Sequence, residues 1–145
     1  MRNTIIIFLL LFLSLYTLYE RSDWFSIQTV QDQVAFADQL QEAFDKRLSN
    51  LQVEGSGVVK VILRDDTKGS KHQRIIVDLP TGQTVLLAHN IDLAPRVENL
   101  SKGDKIAFFG EYEWNDRGGV IHWTHHDPQN KHIAGWLKHK GRTYR

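Results

Sequence analysis

The chain has 145 residues, with 18 basic and 17 acidic side chains, a formal charge of +1 and 41% hydrophobic residues. This length and balance predict one folded domain with a short appendage and exclude a largely disordered chain. The sequence contains no cysteine, which excludes disulfides, iron–sulfur clusters and thiolate zinc sites. Any bound metal ion would therefore have His, Asp or Glu ligands.

Residues 1–20 are predicted to be a signal sequence or a membrane anchor. A short positive start, Met1-Arg2-Asn3, precedes residues 5–19, which are apolar apart from Ser14 and Thr17. Fifteen helical residues span about 22 Å, less than the roughly 30 Å hydrocarbon core of a bilayer. No small-x-small cleavage site precedes Glu20 in the sequence, which favours an uncleaved anchor. We expect an inner-membrane-anchored or exported protein whose domain faces the periplasm or the exterior of a bacterial cell.

Residues 21–50 are predicted to form an amphipathic helix that begins near Trp24, with a weak capping box at Thr29 and Asp32. Apolar side chains recur at four-residue spacing, at Phe36, Leu40, Phe44 and Leu48. Such a stripe favours packing against a domain, and a stalk between membrane and domain is the alternative.

Residues 51–145 are predicted to form an all-β domain. Its five predicted strands are residues 58–64, 72–79, 84–90, 105–114 and 120–126. The longest connection lies between the third and fourth strands, an order typical of the OB-fold, a partly open five-stranded barrel. A five-stranded barrel of another order is the alternative. Gly55 and Gly57 are expected to be a flexible entry to the first strand, and residues 138–141 to turn a C-terminal hairpin.

Residues 110–128, reading GEYEWNDRGGVIHWTHHDP, have an unusual density of potential ligand side chains. On the fifth strand, alternation predicts that Ile121 and Trp123 face the core and that His122, Thr124 and His126 point outward. Glu111 and Glu113 are expected to lie on an exposed, solvated face of the fourth strand, away from the other candidate residues.

An OB-like strand order makes the third and fifth strands parallel neighbours. The ends of the first, third and fifth strands and the start of the second then share one rim of the barrel. The polar residues expected at this rim are Asp65, Asp66, His72, His89, Asn90, His125, His126 and Asp127. Further candidate binding residues are Arg74, Asp92, Trp114 and His122.

Three roles are open for the rim. It is first interpreted as the site of a binding or interaction module for single-stranded nucleic acid, oligosaccharide or a protein ligand. The alternative is a metal-dependent hydrolase, such as a phosphodiesterase or nuclease, with a divalent ion such as zinc. Its imidazole ligands would be His72, His89, His125 and His126, with Asp65, Asp66 or Asp127 orienting water. The histidines would otherwise only fix loops.

Four strings of the sequence together resemble a known family: DDTKGSKHQR, GQTVLLAHNIDLAPRV, GEYEWNDRGGVIHWTHHDP and HIAGWLKHKGRTY. This combination is similar to the bacterial domain-of-unknown-function family 3465 and covers roughly residues 55–144. The resemblance implies a compact β-rich domain, often behind an N-terminal export signal, and it implies no catalytic residue.

Overall fold

The computed structural model describes the backbone of residues 2–145 and the side chains of residues 6–19 and 30–145. The chain divides into two compact units, Met1–Asp32 and Gln33–Arg145, and α1, Arg2–Asp45, contributes to both. In the first unit, all side chains of residues 6–19 are exposed. Over the described residues, no helix combines the length and the apolar character needed to cross a membrane. Met1 and the side chains of Arg2, Asn3 and Trp24 lie outside the described part of the chain.

The helix begins earlier than the sequence predicts, at Arg2, and it also ends earlier, at Asp45. It runs through Thr29 without interruption, so the predicted capping box is wrong. It ends at Asp45, where the N–H of Leu48 donates to the carbonyl of Ala43 and Arg47 adopts a left-handed φ of 55°. Leu48 consequently lies beyond the helix and is exposed, instead of continuing the apolar stripe.

Seven strands follow the helix: β1 Leu51–Ile62, β2 His72–Asp78, β3 Thr84–Asn90, β4 Lys105–Glu113, β5 Val120–His122, β6 Trp136–His139 and β7 Arg142–Tyr144. The first five form a closed barrel in the order β1-β2-β3-β5-β4, because β1 also pairs with β4. β3 and β5 are parallel, while β1 and β3 are antiparallel to β2. The all-β, OB-like barrel predicted from the sequence is therefore confirmed.

β1 begins seven residues earlier than predicted, at Leu51. Its first part pairs with β4 and its last part with β2, so one long strand closes the barrel. Gly55 and Gly57 lie inside this strand, not in a flexible entry to it. A Cβ on Gly55 would lie 2.1 Å from the ring of Phe36 on α1, and one on Gly57 would lie 2.8 Å from the carbonyl oxygen of Asp78. Close approach by other elements therefore explains both glycines.

β5 is four residues shorter than predicted, because the chain leaves the strand at Trp123. Trp123 adopts a left-handed φ of 52°, which breaks the alternation of side chains. Ile121 is buried as predicted, but Trp123 is only half-buried and Thr124, predicted to point outward, has no exposure. The residues after Trp123 form a loop that returns to the barrel at Gly135, whose N–H donates to the carbonyl of His125.

The core fills the barrel and extends to the last turns of α1. Phe36 packs edge-on against Phe108 of β4, with ring centroids 5.6 Å apart, and Leu40 is fully buried. Trp114 fixes the end of the helix, since its indole N–H donates to the carbonyl of Phe44. The barrel residues of this core include Val59, Ile75, Val77, Leu87, Ile106, Phe108, Tyr112, Ile121 and Leu137.

β6 and β7 form a terminal hairpin that turns at Lys140 and Gly141. β6 pairs with residues Ile106 to Phe109 of β4, and β5 pairs with Glu111 to Glu113 on the same edge. The shortening of β5 therefore leaves room for β6 beside β4.

Candidate functional site

Three potential metal ligands converge on the outer face of β4 and β5. Alternation exposes Glu111 and Glu113 to the outside of β4, and the antiparallel register pairs Glu111 with His122 of β5. One ligating atom from each of these three residues lies within 4.8 Å of the others. Because all three side chains project from paired strands, the sheet fixes the points from which they extend relative to one another.

The imidazole of His122 is the least satisfied group of this cluster. Its Nε2 is inaccessible to solvent, has no hydrogen-bond partner among the described residues, and lies 3.7 Å from Oε1 of Glu111. Burial lowers the pKa of His122, although the negative charges of Glu111 and Glu113 act in the opposite direction. The ring is therefore neutral at pH 7, which is the form that binds metals.

Gln52 of β1 adjoins the same cluster from the other edge of β4, where the register pairs it with Glu111. Its Nε2 is also buried without a hydrogen-bond partner in the described part of the chain. Glu111 thus lies between two strands that each carry an unsatisfied nitrogen.

A second imidazole reaches Glu111 from the loop after β5. Nδ1 of His132 lies 3.4 Å from Oε2 of Glu111. Its ring stacks on Trp123, with centroids 3.7 Å apart and planes 12° apart. Asp127 holds this loop, because its carboxylate accepts hydrogen bonds from the N–H groups of Gln129, Lys131 and His132. These backbone hydrogen bonds lower the pKa of Asp127.

Several of the predicted rim residues have structural hydrogen bonds. His89 is fully buried; its Nδ1 lies 2.9 Å from the Thr124 hydroxyl and its Nε2 3.1 Å from the carbonyl of Pro95. Since a carbonyl only accepts, Nε2 carries the proton and Nδ1 accepts from Thr124. In this arrangement neither nitrogen of His89 is free to bind a metal.

The start of β2 and the end of β3 meet as predicted, because His72 pairs with Asn90 and forms a bridge with Asp66. Their polar side chains fix the adjacent turns. His72 Nδ1 donates to the carbonyl of Ser70, Asn90 accepts from the N–H of Asp92, and Asp92 accepts from the N–H of Lys71.

The remaining predicted residues are dispersed. His125 is buried and donates to the carbonyl of His126, whereas the side chain of His126 is exposed. Asp65 is paired with Arg96, and Arg74 donates twice to the carbonyl of Arg64. Within the described residues, no three ligating atoms of the rim lie within 4.8 Å of one another. A metal site at the rim stays a prediction.

The barrel and its polar clusters lie within a region of the chain that matches a known family. Residues 25–145 match the family described as "Protein of unknown function (DUF3465)". The chain belongs to the DUF3465 family. This confirms the resemblance seen in the sequence, and it places the whole barrel and the β4–β5 cluster inside the DUF3465 region. No curated protein matches the chain.

Within this DUF3465 domain, sequence reasoning included His122 but set aside Glu111 and Glu113. Two features of the sequence indicate the cluster. Potential ligand side chains are concentrated in residues 110–128, and they alternate outward on consecutive strands. The register that pairs Glu111 with His122 was missing. His132 was missed because its position depends on the loop that Asp127 organises.

Proposed function

We propose that the domain is a binding module for a divalent transition-metal ion, with Glu111, Glu113 and His122 as ligands. The observation that carries this proposal is the approach of three ligating atoms to within 4.8 Å, one of them an imidazole nitrogen without a hydrogen-bond partner among the described residues. Two carboxylates and one neutral imidazole suit Zn²⁺, Mn²⁺, Fe²⁺ or Ni²⁺. A bound cation would also offset the repulsion between the two carboxylates.

His132 would complete the ligand set. It already lies beside Glu111 and belongs to a loop with three hydrogen bonds to Asp127. In the proposed complex Nδ1 of His132, now 3.4 Å from Oε2 of Glu111, would bind the same ion as that carboxylate. Two imidazoles and two carboxylates form a tetrahedral shell of the kind that Zn²⁺ accepts.

Thermal unfolding of the chain, purified without a histidine tag, tests this proposal. An ion that binds only the folded state stabilises it by about 2.7 kcal/mol at an ion concentration about 100 times Kd. We expect a saturable rise in Tm with zinc or manganese after chelator treatment, and loss of that rise in Glu111→Gln. Glu98→Gln, an exposed acid elsewhere on the domain, is the matched control. A rise that persists in Glu111→Gln and disappears in His126→Ala would transfer the metal site to the rim.

A metal-dependent hydrolase is the second candidate, because an ion held by Glu111, Glu113 and His122 without His132 would keep an open position for water. The cluster lies on the outer surface of two strands, and this favours binding over a closed reaction site. Hydrolysis of a phosphodiester that stops on adding chelator and is absent in Glu111→Gln would establish the enzyme. The absence of turnover by metal-loaded protein would leave the binding module.

We further propose that residues 6–19 associate with a lipid bilayer and hold the domain at the periplasmic or outer side of a bacterial membrane. The support is that apolar side chains are exposed all around this part of the helix, from Ile6 to Tyr19. Flotation with anionic vesicles tests it. Leu10→Asp combined with Leu13→Asp should abolish flotation, whereas Val30→Asp, also at an exposed apolar position, should not.

A further inference from the structure

A pair of aromatic rings lies next to the metal-ligand cluster on the outer face of β4. Phe109 is one outward position along β4 from Glu111, and the register pairs it with Trp136 of β6. The two rings stack with centroids 6.2 Å apart and planes 29° apart, and both side chains are half-buried. They form an aromatic pair, called the platform below, that is partly open to solvent.

Two lysines extend this platform away from the acidic cluster. Lys138 of β6 lies beside Ala107, and its Nζ is 5.7 Å from the ring centroid of Trp136. Lys105 is the next outward position of β4, and both lysines are exposed. Within the described part of the chain, neither lies within 4.0 Å of a carboxylate, whereas the nearby Lys140 is paired with Asp104. The basic end of the face therefore has two cations available for an anionic ligand.

We infer that this face, which consists of Lys105, Phe109, Glu111, Trp136 and Lys138 and is called the β4 face below, binds a short single-stranded nucleic acid. A base would stack on Phe109 and Trp136, and phosphates would contact Lys105 and Lys138. Glu111 lies six positions after Lys105, roughly 20 Å along a strand. This length fits the short end of the roughly 4 to 16 nucleotides that one OB barrel covers.

The charges on the β4 face favour a nucleic acid over a sugar. Both ligands stack on aromatic rings. A neutral oligosaccharide, however, has no negative charge to pair with two lysines that lack a carboxylate partner. The chain carries a formal charge of only +1, so attraction has to be local. Glu54 of β1, paired with Phe109, places an exposed acid on one side of the platform. The phosphates are therefore expected on the opposite side, along β6.

Base stacking on the two rings and phosphate contacts to the two lysines do not require a bound metal ion. An ion at Glu111 would add one phosphate contact at the acidic end of the β4 face. Loss of metal binding in Glu111→Gln therefore leaves the stacking platform and the basic end in place, and each proposal can fail without the other.

The test is fluorescence anisotropy of a labelled oligo-dT of about eight nucleotides, titrated with the full chain over a range of salt concentrations, with and without chelator. Each phosphate contact to a single strand contributes a slope of about 0.7 in log K against log salt. Lys105→Gln and Lys138→Gln should each weaken binding severalfold and reduce the slope by about that amount. The matched control is Lys102→Gln, an exposed lysine in the turn before β4.

Trp136→Ala should weaken binding roughly tenfold through the lost stacking. Since Trp136 is half-buried, the two exposed lysine variants keep the proposal testable if Trp136→Ala does not fold. No binding at low salt, or an unchanged salt slope in both lysine variants, would overturn the proposal. Saturable binding of a neutral hexasaccharide that is lost in Trp136→Ala and insensitive to salt would overturn it in favour of an oligosaccharide.

Discussion

The hydroxyl of Thr124 donates a hydrogen bond to Nδ1 of His89 over 2.9 Å, and neither side chain has any solvent exposure. The other ring nitrogen donates to the carbonyl of Pro95. His89 thus connects the end of β3 both to the residues after β5 and to the loop that follows β3. A neutral imidazole satisfies both partners. Protonation turns Nδ1 into a second donor, so it can no longer accept the hydrogen bond from Thr124.

Acid should destabilise the domain through His89. Burial lowers the pKa of His89 to about 4, and the charges of His125 and His72 act in the same direction. The unfolded chain, with a pKa of about 6.5, binds the proton more tightly, so the free energy of unfolding falls as pH decreases from 6.5 to about 4. The full loss is on the order of 3 kcal/mol, because one pKa unit corresponds to about 1.4 kcal/mol.

Urea unfolding at several pH values between 4 and 7 measures this loss. His89→Gln should have a much smaller pH dependence; a residual slope of the same sign is expected from His122, whose pKa is also lowered by burial. His126→Ala, at an exposed position, should keep the full dependence. An equal slope in the chain with and without His89 would contradict the assignment.

Replacing the Thr124 hydroxyl should cost stability at neutral pH. Thr124→Val keeps the shape of the side chain but leaves Nδ1 of His89 buried without its donor. An unsatisfied buried polar group costs about 1–3 kcal/mol. Chemical denaturation compares this variant with Thr143→Val, at an exposed position of β7. If both substitutions have the same effect, the hydrogen bond to His89 contributes nothing measurable.

Gly55 and Phe36 should be energetically coupled. Gly55→Ala places a methyl group 2.1 Å from the ring of Phe36, and we expect a loss of about 2 kcal/mol or more. Phe36→Ala alone should cost about 3–5 kcal/mol, since the ring is 7% exposed. In the double variant the added methyl group has space, so its further cost should be within about 0.5 kcal/mol. Simple additivity in the double-mutant cycle would show that the ring is not what excludes a side chain at Gly55.

Asp127 should control the order of the loop that carries His132. Its carboxylate accepts three backbone hydrogen bonds, from Gln129, Lys131 and His132. In Asp127→Ala we expect these three amides to exchange with solvent about tenfold faster or more, because local opening becomes easier. Hydrogen exchange measured by NMR tests this, with Asp116→Ala in the exposed turn before β5 as control. Unchanged exchange would mean that other contacts hold the loop.

The barrel could be predicted from the sequence because its strands alternate and its turns contain glycine. β3 was predicted with its observed bounds, since every second side chain of 84–90 is buried and a turn precedes it. The end of β5 could not be predicted, because the left-handed conformation of Trp123 is stabilised by tertiary contacts with His132. The prediction of a flexible entry to β1 is wrong, since Gly55 and Gly57 are required by Phe36 and Asp78, which are distant in sequence.

The candidate site could be predicted only in part, because the sequence shows alternation within a strand but not the pairing between strands. Local alternation places Glu111 on the outside of β4 and His122 on the outside of β5, and both were recognised as outward. Their convergence depends on which residues are opposite each other across the two strands. That pairing is a property of the sheet, and a periodicity within one strand does not contain it.

The early end of β5 at Trp123 makes the protection of the β4 edge depend on the C-terminal hairpin. Had β5 continued to residue 126, it would have occupied the edge of β4 that β6 now covers. With β5 stopping at His122, the main-chain groups of Ile106 to Phe109 require the C-terminal hairpin as a partner. A chain that lost this hairpin would present an uncovered edge, with an aromatic side chain on it, to other molecules. β6, which carries Trp136, therefore prevents strand-to-strand aggregation at this edge and also contributes to the candidate binding surface.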